Sequence, residues 1–459
     1  MLPRIPYDDL IPLPDMAQHQ AYSAQDYDDL GAASKLHGDL QVLLQLTPRE
    51  LASSASRWTL RHLIAYRLLV RPEAAFLPVL RTDHDQRCPV CSPGGHQYYP
   101  QTIDRARTDT LTGTTPRNLC LKTEHELMQL PHGVLWVALA RAARPELTGQ
   151  PRAYPRRERK QAQREGYVNS ADAIPESSSP IEESSSEFDA DTSHVDDDEH
   201  DVRRNKPEEV TANLVSSFLQ QALSVCLLQH PDGLTAQVEV RPRVERRMTI
   251  AVVTGHVSIT AEDDGGICLM RRTDLGWQMS HPYWALLEAK RAFDRVDFDG
   301  NKGAYVPTVS DSNLAQYLGE AIITWKGNQS LLPHGVFLIA ATNTFMRFTK
   351  FSFSRDYLRY LDATTVGAQL EMISDPGKEV FVSMQSSTWF NLQSSDGRRA
   401  ALCHILALLR WHDAEGSMHH GGDADPDDGD GEDGPSSSYE VNDDTESEMD
   451  DGDDMDIGE

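Results

Sequence analysis

The sequence predicts an α/β (α+β) domain between about Glu208 and His412, and three patterns predict it. An apolar stripe at three- and four-residue spacing opens the stretch, β-branched or alternating segments follow, and a capped amphipathic helix precedes two further strand-like runs. The resulting order is α-β-β-β-α-β, with one extra strand.

The stripe is Leu214, Val215, Phe218, Leu219, Ala222 and Val225, one face of a helix that starts near Glu208. Ala236-Gln237-Val238-Glu239-Val240 alternates apolar and polar residues, residues 248–260 are rich in β-branched side chains and interrupted at Gly255, and residues 283–289 supply the third strand. Asp311 is placed to cap a helix carrying Leu314, Leu318, Ala321, Ile322 and Trp325. Residues 335–341 and 345–348 then read as strands, and an apolar helix over about 399–411 is expected to cover the sheet.

Ahead of this domain, residues 1–147 read as a helical region. Thr47-Pro48-Arg49-Glu50 is a capping box with proline at the first helical position, and Leu51, Trp58, Leu63 and Tyr66 can line a helix face behind it. Thr123-Glu124-His125-Glu126 opens another helix, which Pro131 should break. Residues 148–206 run from a basic cluster (Arg152, Arg156, Arg157, Arg159, Lys160, Arg164) into Ser-rich and acidic blocks, a composition expected of a disordered linker. Residues 417–459 are expected to be a disordered acidic tail.

The formal charge of −28 is concentrated in these segments: 18 acidic residues and no Lys or Arg lie between Met418 and Glu459, and 11 more acids between Glu176 and Asp201. The rest of the chain is close to neutral, so the acidity does not exclude a nucleic-acid partner. The N-terminus lacks the basic start and apolar run of a secretory signal, and the longest apolar runs fall short of the roughly 20 residues a membrane span needs. The expectation is an intracellular protein, nuclear or cytoplasmic, not secreted and without a membrane partner. Six scattered cysteines are too few for a disulfide framework and are expected to be reduced thiols.

The chemistry centres on Glu288-Ala289-Lys290 at the end of the third strand. Residues i and i+2 of a strand project to one face, so a carboxylate that can hold a divalent ion stands beside an ammonium that can steady water or a phosphate. With the element order, this tripeptide resembles the PD-(D/E)XK nuclease superfamily, above all the nuclease-like domain of uncharacterised fungal proteins. The resemblance covers about 200 of the 459 residues. It implies a restriction-endonuclease-like αβββαβ core, magnesium or manganese as cofactor, DNA as the first candidate substrate, and Glu288 and Lys290 as catalytic residues. Gln316, four residues before Glu320, matches a helical position of the family, although Asn313 and Tyr317 satisfy an alternative register one turn away. Glu208 or Glu209 fits the carboxylate of the first helix.

The family's metal-binding aspartate, expected in a Gly-x-x-Asp pattern, falls on Gly255-His256-Val257-Ser258, where serine is a poor ligand for a hard dication. Asp263 and Asp264 could take over, or could be turn residues, since Asp263-Asp264-Gly265-Gly266 is ordinary hairpin chemistry. The sequence therefore yields a magnesium set of Glu288, Asp264 and Glu209 as the expectation. Its competitor is a degenerate nuclease fold retained to bind nucleic acid or protein. A carboxylate of Asp263 or Asp264 within about 5 Å of Glu288 would favour catalysis, because each ligand of one ion sits at about 2.0–2.6 Å.

Cys88-Pro89-Val90-Cys91 is the tight turn that presents two thiolates to zinc; Cys120 with His125, or His96, is the available completion. The basic cluster at 152–164 suits nuclear import or a phosphate backbone, and the acidic tail suits basic proteins or competition with DNA for a basic cleft. Gly300-Asn301-Lys302-Gly303 lacks the spacing of a phosphate loop, and no nucleophile elbow is present.

Overall fold

A computed structural model describes Tyr22 and residues 24–91, 103–144, 208–226, 237–291, 295–299 and 304–420. The chain divides into two compact units, Met1–Asp413 and Ala414–Glu459, and the architecture below is that of the first. The linker, including the basic cluster, and the tail beyond His420 lie outside the described residues; residues 417–420, expected in the disordered tail, instead continue the last helix.

The strands in chain order are β1 (Leu68–Val70), β2 (Val238–Arg243), β3 (Arg247–Val253), β4 (Val257–Asp263), β5 (Gly266–Thr273), β6 (Gly276–Lys290), β7 (Arg295–Asp299), β8 (Ala304–Thr308), β9 (Val336–Thr342), β10 (Phe345–Ser352), β11 (Val382–Ser386) and β12 (Phe390–Asn391). Among them, one mixed sheet runs β1-β11-β10-β9-β6-β5-β2, with β12 paired to β10; β3-β4 and β7-β8 are separate two-stranded ribbons. The central pair β6-β9 is parallel, and the helix Asp311–Gly327 lies between the two strands in sequence, as a parallel pair requires.

Period-two alternation sorts the central strands onto two cores. Leu286, Leu338 and Ala340 face a core containing the helix Asp311–Gly327 and the β3-β4 ribbon, whereas Ala285, Leu287, Phe337, Ile339 and Ala341 face a core built with the helices Gly133–Ala143, Glu208–Val225 and the start of Ser395–His420. Both cores draw on the N-terminal region, the first through Trp58, Leu63, Ile64 and Tyr66, the second through Leu135, Trp136 and Leu139. Residues 24–144, expected as a helical region in front of the domain, thus complete it, and β1 joins the sheet in parallel with β11. The Thr47 box caps only Pro48–Leu51; Leu60–Ala65 starts afresh after Thr59, so Leu51, Trp58 and Leu63 do not share one helix.

The strand order differs from the sequence expectation in one consequential place. Residues 248–260, taken as one strand broken at Gly255, form the ribbon β3-β4, which turns at Thr254 and Gly255 with φ of 51° and 79°. The strand next to β6 is instead β5, which lacks alternation (Ile267-Cys268-Leu269-Met270-Arg271-Arg272) and follows what reads as a turn. Ser258 is therefore exposed on the ribbon opposite Val252, away from the position first assigned to it beside the tripeptide. Ser310, rather than Asp311, caps the helix after β8, accepting from Asn313 N.

Candidate functional site

Glu288 and Lys290 stand at the carboxyl end of β6, where Glu288 pairs with Ala340 of β9. Asp264 reaches the same place from the short connection between β4 and β5. Its backbone N donates to Leu287 O at 2.9 Å, Leu287 N donates to Gly265 O at 3.0 Å, and the Asp264 carboxylate itself accepts from Ala289 N at 3.0 Å. The two glycines permit this approach. A Cβ at Gly266, whose φ is +148°, would lie 2.0 Å from Ala285 O, and one at Gly265 would lie 2.5 Å from Arg243 O.

The neighbouring aspartates are sorted into different tasks by the pleat. Asp263 is buried in a bidentate pair with Arg243, 2.8 Å for each contact, and serves the ribbon's attachment. Asp264 turns the other way: its carboxylate, Glu288 and Glu208 offer oxygens that all lie within 4.8 Å of one another. Glu208, in the first turn of the helix Glu208–Val225, supplies the helix carboxylate of this cluster. Glu209, expected in the magnesium set, is not part of the cluster: its side chain is 72% exposed and lies 4.0 Å from Arg246. One residue along a helix is a rotation of about 100°, which takes it off the cluster.

Lys290 Nζ bridges the acids, donating to Glu288 Oε1 at 2.5 Å and Glu208 Oε1 at 3.1 Å. Gln316 Nε2 donates to Glu288 Oε1 at 2.5 Å and Glu320 Oε1 at 2.9 Å, which selects the Gln316 register; Tyr317, in the alternative, is buried in the core. Arg246 pairs with Asp264 Oδ1 at 3.1 Å and is half exposed.

Burial governs the electrostatics. Glu288 is 2% exposed, and desolvation, moderated by Lys290 and reinforced by Asp264, pushes its carboxyl up to about 7. Burial likewise raises Asp264, and raises Glu320 well above the carboxylate range, with the nearby Glu288 adding to the effect. For Lys290 burial opposes the charged form, but Glu288 and then Glu208 overcome it and the pKa is raised, so the ammonium stays charged at any physiological pH. Three carboxylates served by one fixed ammonium form a hard, oxygen-rich set whose separations suit a single divalent cation.

A second cluster lies elsewhere. Cys88 and Cys91 meet Cys403 and His84, with all four ligand atoms within 4.8 Å. The partners first considered do not take part: Cys120 and His125 are exposed and outside this group, and His96 lies outside the described residues. The spacing of four between His84 and Cys88 was the available sequence signal, His84 lying on the helix Pro78–Arg87 that ends at Cys88. No spacing rule could have found Cys403, which belongs to the last helix.

No helix among the described residues is long and apolar enough to cross a membrane. No family model matches the chain, and no curated protein matches it.

Proposed function

We propose that the protein is a divalent-metal-dependent phosphodiesterase of the PD-(D/E)XK type acting on nucleic acid, DNA first, with Glu288, Asp264 and Glu208 as metal carboxylates. The observation that carries this reading is the convergence of three carboxylates from separate elements, within 4.8 Å, around Lys290. The order helix Glu208–Val225, β2, β5, β6, helix Asp311–Gly327, β9 supports the restriction-endonuclease-like core, once the β3-β4 ribbon is treated as an insertion.

When bound, magnesium or manganese would supply Lewis-acid polarisation of a phosphoryl oxygen and hold water close to it. Lys290, held as a cation beside Glu288 and Glu208, is placed to donate to water or a non-bridging phosphate oxygen. Gln316 fixes the rotamer of Glu288 through a hydrogen bond to the oxygen that Lys290 also uses. Arg246, beside Asp264 and half exposed, is placed to meet a phosphate at the rim.

The test is cleavage of single- and double-stranded DNA, and of RNA, by the full chain with magnesium or manganese, beside Lys290→Ala prepared identically. Cleavage that disappears in the variant and in chelator supports the reading. A folded wild-type chain that cleaves none of these substrates would move the assignment to a binding module, since the ion pairs with Lys290 and Arg246 can satisfy the carboxylates without a metal.

A further inference from the structure

The cluster of His84, Cys88, Cys91 and Cys403 is independent of the carboxylate site. His84 and Cys88 come from the helix Pro78–Arg87 and its C-cap, one turn apart, and Cys91 from the turn after it. Cys403 comes from the helix Ser395–His420, so residues more than three hundred positions apart are joined.

The sulfur geometry is neither that of a disulfide nor that of dispersed thiols. Cys403 Sγ lies 3.6 Å from Cys88 Sγ and 3.1 Å from Cys91 Sγ, well beyond the roughly 2.05 Å of a disulfide bond. Four ligands at about 2.3 Å for sulfur and 2.0–2.1 Å for nitrogen place tetrahedral edges near 3.6–3.8 Å. The two sulfur–sulfur separations fall at and somewhat below the edge one small ion would set, and all four ligand atoms lie within 4.8 Å of one another. Cys88 and Cys403 are 0% and 1% exposed, so no solvent satisfies them.

The histidine supplies an independent observation. His84 Nδ1 contacts Asp85 Oδ1 at 3.2 Å, while its buried Nε2 makes no well-formed hydrogen bond, and the ring interacts with the Cys88 and Cys91 thiols of the cluster. Buried polar nitrogens are ordinarily satisfied, and a carboxylate on one ring nitrogen with a metal on the other is a recurrent way to orient a ligating imidazole. The adjacent histidine shows the contrast. His404 donates from Nδ1 to Ala400 O at 2.8 Å and accepts from Leu77 N at Nε2, at 3.1 Å, so neither nitrogen is free although it follows Cys403 directly. Phe76 stacks between the two rings, with centroids 3.9 Å from His84 and 3.8 Å from His404, and holds both orientations.

We propose that His84 Nε2 and the Cys88, Cys91 and Cys403 thiolates bind one zinc ion, which fastens the N-terminal region to the last helix. Three soft sulfurs and an imidazole suit zinc over magnesium or calcium, and four protein ligands leave no open position for substrate or water, as in a structural site. Binding releases the thiol protons to solvent, and no oxidant or reductant is involved.

The experiment is elemental analysis of the full chain, purified under reducing conditions and reconstituted with zinc, then dialysed free of unbound metal. About one zinc per chain is expected. Replacement by cobalt should give a tetrahedral ligand-field spectrum with thiolate charge-transfer bands. Because Cys88 and Cys403 are packed in the interior, the variants are Cys91→Ser, at an exposed position, and Asp85→Asn, which should weaken zinc affinity about 10–100-fold while leaving all four ligands in place. Absence of zinc and cobalt from a folded reduced chain overturns the proposal. So does stoichiometric zinc whose affinity is unchanged in both variants, or a Cys91–Cys403 disulfide found in the reduced, metal-reconstituted protein.

Discussion

Glu288 is the group through which the proposed metal site can be weighed without any substrate. Its carboxyl is pushed from 4.5 up to about 7 by burial, so the metal-free fold carries a cost whenever that group is ionised. The sign follows from proton binding. Between these two values the folded state holds more protons than the unfolded state, so the penalty is absent at low pH and grows as pH rises. It amounts to about 1 kcal/mol at pH 5 and about 3 kcal/mol at pH 8. Glu288→Gln keeps the shape and an oxygen for Lys290 and Gln316 but cannot ionise. The variant should match the wild type near pH 4 and exceed it by about 3 kcal/mol at pH 8, in urea denaturation of full-length protein with chelator present. Magnesium should raise wild-type stability by about 2.7 kcal/mol at one hundred times its dissociation constant and leave the variant unmoved. A stability difference that stays flat between pH 5 and pH 8, or a variant less stable than the wild type at pH 8, would refute this account of the site.

Other outcomes follow from the same geometry. Lys290→Met should abolish cleavage and destabilise the metal-free protein at neutral pH, with magnesium restoring more stability than in the wild type, because three carboxylates lose their shared cation; thermal melts with and without metal check it. Arg243→Met leaves Asp263 buried and unpaired and should cost about 3–5 kcal/mol by chemical denaturation, while Asp263→Asn in that background should recover part of the loss. His412 stacks on Trp284 at 4.3 Å, and burial, with His281, Lys350 and His334 adding to it, pushes its pKa down to about 3. Its contribution is therefore complete above about pH 6.5 and is lost as pH falls, by up to about 1.4 kcal/mol per pH unit; His412→Phe should flatten that slope. A fragment of residues 200–416 should fail to fold, seen as a flat near-ultraviolet circular dichroism spectrum, since it lacks β1 and buried Trp58, Leu63, Tyr66, Leu135 and Trp136. Each such side chain is worth about 1.5–3 kcal/mol against a typical total of about 5–15 kcal/mol.

Elements with strong periodicity were legible in the sequence. The Glu208–Val225 stripe and the Asp311–Gly327 helix emerge from spacing, because each buries a face, whereas β9 emerges as a short continuous apolar run, because it is buried on both faces. The strand β5 was not legible. It is half buried beside a bulged partner, carries Arg271 and Arg272 where alternation would ask for apolar residues, and starts at a glycine pair. The helices of the N-terminal region are legible from its capping boxes, but its place in the fold is not: the helices are short, and β1 has only three residues, so nothing local reveals that it extends a sheet whose other strands lie far along the chain.

The site shows how far a tripeptide can carry an inference and where topology takes over. Placing Glu288 and Lys290 on one face needed only the pleat, and Gln316 needed only helical spacing from Glu320. The third carboxylate depended on which strand adjoins β6. With residues 248–260 in that place the position held Ser258 and the site looked broken; with β5 there, Asp264 sits at the strand end and its carboxylate accepts from Ala289 N. The difference is the β3-β4 ribbon, inserted between two strands of the sheet and packed on the helix Asp311–Gly327. The residues that permit the return from ribbon to sheet are Gly265 and Gly266, whose missing side chains let β5 begin against Ala285. The same Asp-Asp-Gly-Gly run that imitates a hairpin turn therefore does two other things: it anchors the ribbon through Asp263 and Arg243, and it delivers Asp264 to the carboxylate cluster. Gly266→Ala tests that link directly. A Cβ there would meet Ala285 O at 2.0 Å, so the start of β5 must move, and Asp264 with it. Magnesium binding by calorimetry should weaken in this variant even where circular dichroism shows the fold retained; unchanged binding would mean that Asp264 is not a ligand.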